Sequence, residues 1–224
     1  ILYAYNEPSA RQTPASGRIA ANDMRLRYTL GTTGQQELTE DLILNFPVPL
    51  QSFDSTGIRL TTDSIFNPVD FSASMDTSRT RVSIQTEWKD STNYNLVLDK
   101  SFATDTAGRQ LLKTDTLFFT TMKKTDYGSL SIRFRNLDLG TNPVLQFVQN
   151  NNVVFSAPLK DVVLNMELFT PGEYNLRILL DANADGKWTP GNFFGEKRQP
   201  EIVIPIERTL SIKANWKNEF EIPL

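Results

Sequence analysis

Short runs in which apolar and polar residues alternate recur along the whole chain, set apart by Asn, Asp, Gly, Ser and Pro. Alternation with period two marks strands that bury one face, and the helical spacing of apolar positions is almost missing. In the first half, runs at 24–28, 41–46, 57–60, 81–85, 94–98 and 116–120 predict strands. Pro47 and Pro49 end the second run, because proline cannot donate to a central ladder. A polar stretch at 123–128 interrupts the pattern, which restarts at 130–134 and continues through 144–148, 153–155, 162–164, 174–180, 202–204 and 210–214. Between two of these runs, Asn150, Asn151 and Asn152 predict a hairpin turn, since Asn tolerates positive φ.

Strands spaced about every 8 to 12 residues with turn residues between them point to an antiparallel sandwich. The expected fold is all-β, with two consecutive antiparallel β-sandwich domains, the first Ig-like and the second a small Ig-like or transthyretin-like β domain. The expected boundaries are 1–21 for the end of an upstream segment and linker, 22–124 for the first sandwich and 125–224 for the second. Strand-like residues at 1–5 suggest that the sequence begins partway through a longer protein.

Composition narrows the chemistry more than the fold. The chain has 224 residues, 39% of them hydrophobic and 10% aromatic, which is ample for packed cores. Its net charge is −3 and its basic residues are scattered, so no footprint for nucleic acid or an anionic membrane surface is expected. Cys and His are both absent. That removes thiol nucleophiles, disulfides, imidazole bases and His- or Cys-ligated metals, leaving carboxylate pairs, Ser-Lys pairs, Tyr and oxygen-ligated metals. Glu37, Glu40 and Glu87 are candidate acids, but no motif pairs them across a groove. The chain is expected not to be an enzyme.

Two stretches carry a family resemblance. Residues 94–98, then 102–108, then 115–121 resemble the closing strands of bacterial SbsA-type Ig-like domains, in which a Tyr-containing strand leads to an Asp-x-x-Gly turn and a last strand ending Phe-x-Thr. In the second half, residues 126–130, the turn at 171–174, and segments 181–188, 198–201 and 214–216 resemble, in order, the C-terminal β domain of exported Bacteroidetes lipoproteins. The ending at 220–224 departs from that pattern by lacking an aromatic finish. The resemblance implies an outer-membrane, periplasmic or cell-surface lipoprotein, attached to the membrane only through a lipid anchor upstream, and it implies partners among the other proteins of such an assembly.

Five triplets that begin with Asp resemble the O-glycosylation acceptors of Bacteroidetes and make Ser55, Ser64, Ser91, Thr106 and Thr116 candidate sites. The simpler reading of each is a turn residue. Residues 181–186 read D-x-N-x-D-G, a spacing that lets alternate oxygens and a glycine bend around a hard cation. Asp181, Asn183 and Asp185 are therefore calcium candidates, and no other cofactor is expected. The twelfth place is Asn192 rather than Glu, and the flanks are strands, so the simpler reading is an Asx-rich hairpin turn between Leu180 and Phe193. Residues 105–108 likewise read as a plain turn.

Trp88, Trp188, Trp216, Tyr127, Tyr174, Phe193 and Phe194 could form a recognition platform, although packing is the simpler role. Trp216, beside the alternation of Leu210, Ile212 and Ala214, is assigned to the second core. Phe193 and Phe194, between Gly191 and Gly195, are with Trp188 the expected partner contacts. The expected function is a structural or protein-docking module, with a carbohydrate-binding module using exposed aromatics as the alternative.

Overall fold

A computed structural model describes residues 25–32, 34–62, 66–192, 194–195 and 197–224. The expected upstream segment at 1–21, Ser64 and Phe193 lie outside the described residues. The fold is all-β, and its sheets fall into two sets along the chain. Among the described residues no helix is long and apolar enough to cross a membrane.

In the first set, β1 (Thr29–Leu30), β3 (Leu42–Asn45), β8 (Arg81–Gln85) and β7 (Ser72–Met75) form one sheet in the order β1-β3-β8-β7. Opposite it, β2 (Gln35–Gln36), β11 (Asp115–Thr121), β9 (Asn93–Leu98), β5 (Ile58–Thr62) and β6 (Asn67–Pro68) are ordered β2-β11-β9-β5-β6. A separate ribbon pairs β4 (Leu50–Phe53) with β10 (Ala103–Asp105). This is the Ig-like sandwich. Alternation places Leu42 and Leu44 of β3 and Val82 and Ile84 of β8 fully inside, where they share a core with Leu60, Leu96 and Leu98. Trp88 closes one end of this core, edge-on to Tyr94 at 5.1 Å and to Phe119 at 5.7 Å. Its indole N–H donates to the Glu40 carbonyl at 2.9 Å, so the ring is buried with its polar atom satisfied.

The second set has a three-stranded sheet, β15-β12-β18, built from β15 (Val163–Phe169), β12 (Gly128–Arg135) and β18 (Lys217–Pro223). Its four-stranded sheet runs β14-β13-β16-β17, from β14 (Asn152–Pro158), β13 (Pro143–Gln149), β16 (Gly172–Leu180) and β17 (Val203–Ile212). Between the sheets lies a core of Leu130, Ile132, Phe134, Leu145, Phe147, Leu176, Ile178 and Leu210. Phe147 is its centre, with ring centroids of Phe169 at 4.8 Å, Phe155 at 5.7 Å and Tyr174 at 5.8 Å.

Several sequence expectations need correction. Among the described residues strand pairing is antiparallel, as expected, except for β2 with β11 and β12 with β18, and the isolated bridge between Arg25 and Gln110 is parallel as well. Of the run expected at 24–28, Met24 lies outside the described residues; within 25–28 there is an isolated bridge between Arg25 and Gln110, and β1 begins at Thr29. The runs at 202–204 and 210–214 are one strand, β17, whose pairing with β16 shifts register between Asn175 and Leu176. Trp216 is not in the core: β17 ends at Ile212, the chain turns with Asn215 at φ 55°, and the indole is left 63% exposed under the Lys213 ammonium. The last strand packs despite its ending, for Ile222 is buried in the second core.

The turn at Asn150 and Asn151 is as expected. Both residues have positive φ, at 48° and 64°, and they join β13 to β14 with Gln149 opposite Asn152. Paired left-handed residues give a two-residue turn the twist its strands require.

Candidate functional site

Among the described residues the longest departure from sheet structure is the connection from Leu180 to Val203, which contains the D-x-N-x-D-G segment, Trp188 and Phe194. It joins the antiparallel strands β16 and β17, and it runs past Phe193, where the expected Asx-rich hairpin turn was placed to end, as far as Val203. Asp181 is 2% exposed, and its carboxylate organises the first turn. Oδ2 accepts from the Gly186 amide at 2.7 Å and Oδ1 from the Asp185 amide at 3.2 Å. Asp185 Oδ1 accepts from the Lys187 amide at 2.8 Å, and Asn183 Oδ1 from the Asp185 amide at 3.2 Å. Ala184 and Gly186 take positive φ, 56° and 75°, which reverses the chain. Among the described residues no group of three or more carboxylates is gathered as a metal cage.

Glu201, which the sequence reading placed in segment 198–201 without giving it a role, closes the loop. Glu201 accepts from the Ala182 amide at 3.1 Å through Oε1 and from the Thr189 amide at 2.8 Å through Oε2. Its own amide donates to the Thr189 carbonyl at 3.1 Å, and its carbonyl accepts from Trp188 Nε1 at 3.0 Å. Its sequence signals were its place in segment 198–201 and an acid two residues ahead of β17. Arg198 meets Asn192 in an isolated antiparallel bridge, which draws the outer part of the connection together. A cavity of about 650 Å³ lies beside it, lined by Asn142, Asn183, Arg198, Pro200, Glu201 and Ile202 among others.

On this framework Trp188 is 50% exposed and Phe194 97% exposed, with Ile202 and Ile204 also exposed nearby in sequence. Trp188 and Phe194 are thus placed in solvent on one connection. Trp88, Tyr127 and Tyr174 are buried. The ring contacts among described residues lie in the cores and do not form a row of coplanar exposed aromatics.

Of the glycosylation candidates, Ser55, Ser91 and Thr106 are exposed in turns, whereas Thr116 is half-buried in β11 opposite Val97. The Asp105 loop is a turn. Its carboxylate is buried, accepts from the amides of Ala107 at 2.9 Å and Arg109 at 3.0 Å, and pairs with Arg109 Nε at 2.7 Å. Burial alone would raise the Asp105 pKa, but the Arg109 and Ala107 amides and the guanidinium outweigh it and hold the pKa below the ordinary value. A depressed native pKa contributes stability above the unfolded value of about 4, lost as pH falls through the native one. Acid titration of the first unit's melting temperature should therefore show a steeper fall below about pH 4 in the native chain than in Asp105→Asn. Identical acid limbs would contradict this role.

Glu37, one of the candidate acids, accepts a bond from the Tyr127 hydroxyl, and the Glu40 carbonyl serves Trp88 and Gln36. The described contacts do not assemble Glu37, Glu40 and Glu87 into a catalytic pair.

No family model matches the chain, and no curated protein matches it. Among solved structures, native alpha-2-macroglobulin from Escherichia coli, over domains MG0-NIE-MG1, is similar across 81% of this chain and 70% of that one, with 12% identity and a TM-score of 0.38. The N-terminal part of the bacterial S-layer protein SbsC is similar across 77% of this chain and 43% of that one, with 11% identity and a TM-score of 0.37. The fibronectin(III)-like modules of Clostridium thermocellum CbhA align with 87% of this chain and 95% of theirs, with 8% identity and a TM-score of 0.23. Scores this low leave the architecture to be argued from the chain's own sheets.

Proposed function

We propose that the chain is a non-catalytic structural and protein-docking module of an exported outer-membrane or cell-surface lipoprotein. The observation that carries the docking part is the connection from Leu180 to Val203: buried Asp181 and the carboxylate of Glu201 fix the main chain on either side of Trp188, and Trp188 and, farther along, Phe194 stand exposed. Large apolar side chains on a fixed frame make good contacts, because little conformational entropy is lost when a partner covers them. The two sets of sheets, each with its own core, support a division into two domains near residue 124. Export and lipidation are supported by the SbsA-type and lipoprotein motifs and by the exposed acceptor-like Ser55, Ser91 and Thr106.

The test is co-purification of the full-length protein from its membrane, beside Phe194→Asp and Trp188→Ala. The docking reading expects a specific partner with the native chain, lost with Phe194→Asp while the melting temperature is unchanged. Equal recovery with all three chains would remove this surface from the reading. Carbohydrate binding is favoured by one observation, the half-exposed indole of Trp188 held by Glu201. Retardation of the native chain in a polysaccharide gel, abolished by Trp188→Ala, would select that reading.

We also infer that residues 181–186 form a turn held by its own hydrogen bonds, since the oxygens of Asp181, Asn183 and Asp185 each accept from a main-chain amide. Millimolar calcium, or a chelator, is then expected to leave the melting temperature unchanged. A rise of several degrees with calcium would assign Asp181, Asn183 and Asp185 as its ligands.

A further inference from the structure

The chain crosses from the first set of sheets to the second through residues 122–129, and this path is pinned on both sides. On the first side, the Met122 amide donates to the Gln36 carbonyl at 2.9 Å and the Met122 carbonyl accepts from Ser91 at 3.1 Å. The link itself is a 3-10 turn, Lys124–Asp126. Asp126 closes it, its carboxylate accepting from the Lys123 amide at 3.0 Å and its amide donating to the Lys123 carbonyl at 2.9 Å. On the second side, the Tyr127 carbonyl accepts from Asn215 at 2.8 Å, and the Ser129 amide donates to the Trp216 carbonyl at 3.0 Å. Gly128 lies so close to the turn between β17 and β18 that a Cβ there would stand 2.5 Å from the Lys213 carbonyl oxygen and 2.7 Å from Asn218 Nδ2.

Tyr127 joins the two sides. Its main chain belongs to the second set, but its side chain is buried and its hydroxyl points the other way. The hydroxyl accepts from the Leu38 amide at 2.9 Å and donates to the Glu37 carboxylate, both in the connection between β2 and β3 of the first set. Flexible linkers between domains are exposed, polar and crossed by few contacts. This one is short, closed into a turn and followed at once by a buried side chain anchored on the far side.

We propose that Tyr127 is a latch that holds the two sets of sheets as one stiff body, with its main chain built into the second and its hydroxyl into the first. Bending at the junction must break the bonds to Leu38 and Glu37 and expose the buried ring, so the chain resists it. The latch deepens the spacer part of the proposed function, since a stiff body keeps the connection bearing Trp188 and Phe194 in a fixed direction. It rests on that reading only for its use.

The test is 15N relaxation of the full chain, comparing rotational diffusion of amides in 42–121 with those in 128–223, together with the maximum dimension from small-angle scattering. The native chain is expected to give one diffusion tensor for both regions. Tyr127→Phe, which keeps the ring but loses the hydroxyl, is expected to give two tensors and a broader distance distribution. Glu37→Ala, which leaves the second set's sequence untouched, should move in the same direction by a smaller amount. Separate tumbling in the native chain overturns the proposal, and so does common tumbling in both variants. These results are independent of partner capture, so failure of the docking reading leaves them standing.

Discussion

Phe147→Ala is expected to lower the stability of the second set of sheets by about 3–5 kcal/mol while leaving the unfolding of the first set close to native. Phe147 is fully buried, and its ring fills the space between Phe155, Phe169 and Tyr174. Truncation removes the transfer free energy of the ring and leaves a cavity that three other aromatic rings cannot readily collapse to fill. Typical domains are held by about 5–15 kcal/mol, so the loss is a large fraction of what is available. No residue of the first core belongs to the second core, hence the asymmetry. Calorimetry should show one transition move far down in temperature while the other stays. Leu44→Ala, in the first core, should cost about 2–5 kcal/mol and reverse the pattern. A single transition that falls equally for both variants would mean that the cores do not act separately.

Asp181→Ala is the second large effect. The buried carboxylate receives the amides of Asp185 and Gly186; alanine removes the acceptor of Gly186 and leaves the Asp185 amide only its bond to Asn183 Oδ1. Bonds to a charged group are worth about 1.5–3 kcal/mol each, and the amides freed here belong to Asp185, which is exposed, and Gly186, which is half-buried, so water replaces part of what is lost. The expected loss is on the order of 2–4 kcal/mol, less than the sum because a loosened turn lets water reach the amides. Hydrogen exchange should quicken at Asp185 and Gly186 and then along the connection as far as Trp188, whose indole depends on the clamp made by Glu201. Asp181→Asn retains one acceptor oxygen and should recover part of the loss. Unchanged exchange at both amides in Asp181→Ala would show that Asp181 does not hold the turn.

Where strands are local and alternate, the sequence could be read closely. Leu42, Leu44, Val82 and Ile84 lie inside as their period-two spacing requires, and the Asn150 and Asn151 turn has the positive φ that its residues favour. The short strands β1, β2 and β6 left no pattern, because two residues cannot show a period. β17 was read as two runs because Pro205, Glu207 and Arg208 interrupt the apolar sequence where its pairing changes register. The parallel pairing of β12 with β18 joins residues far apart in sequence, and nothing local encodes it.

The candidate site divides in the same way. Asp181, Asn183, Asp185 and Gly186 announced a turn, because Asx residues and glycine bond to main chain nearby. Glu201 and the Tyr127 to Glu37 bond could not be found that way, since each joins groups brought together only by the sheets. Trp216 was misplaced for a related reason. Extending the alternation past Ile212 ignores the turn at Asn215 that carries the ring outward.

The central claim is that residues after the 3-10 turn at Lys124–Asp126 form a folding unit with its own core. Its most direct test is a segment of residues 123–224 expressed alone and followed by circular dichroism and amide NMR. The account predicts a β-rich spectrum with dispersed amide resonances and a cooperative melt, lowered further by Phe147→Ala. A disordered spectrum with no cooperative transition would contradict it.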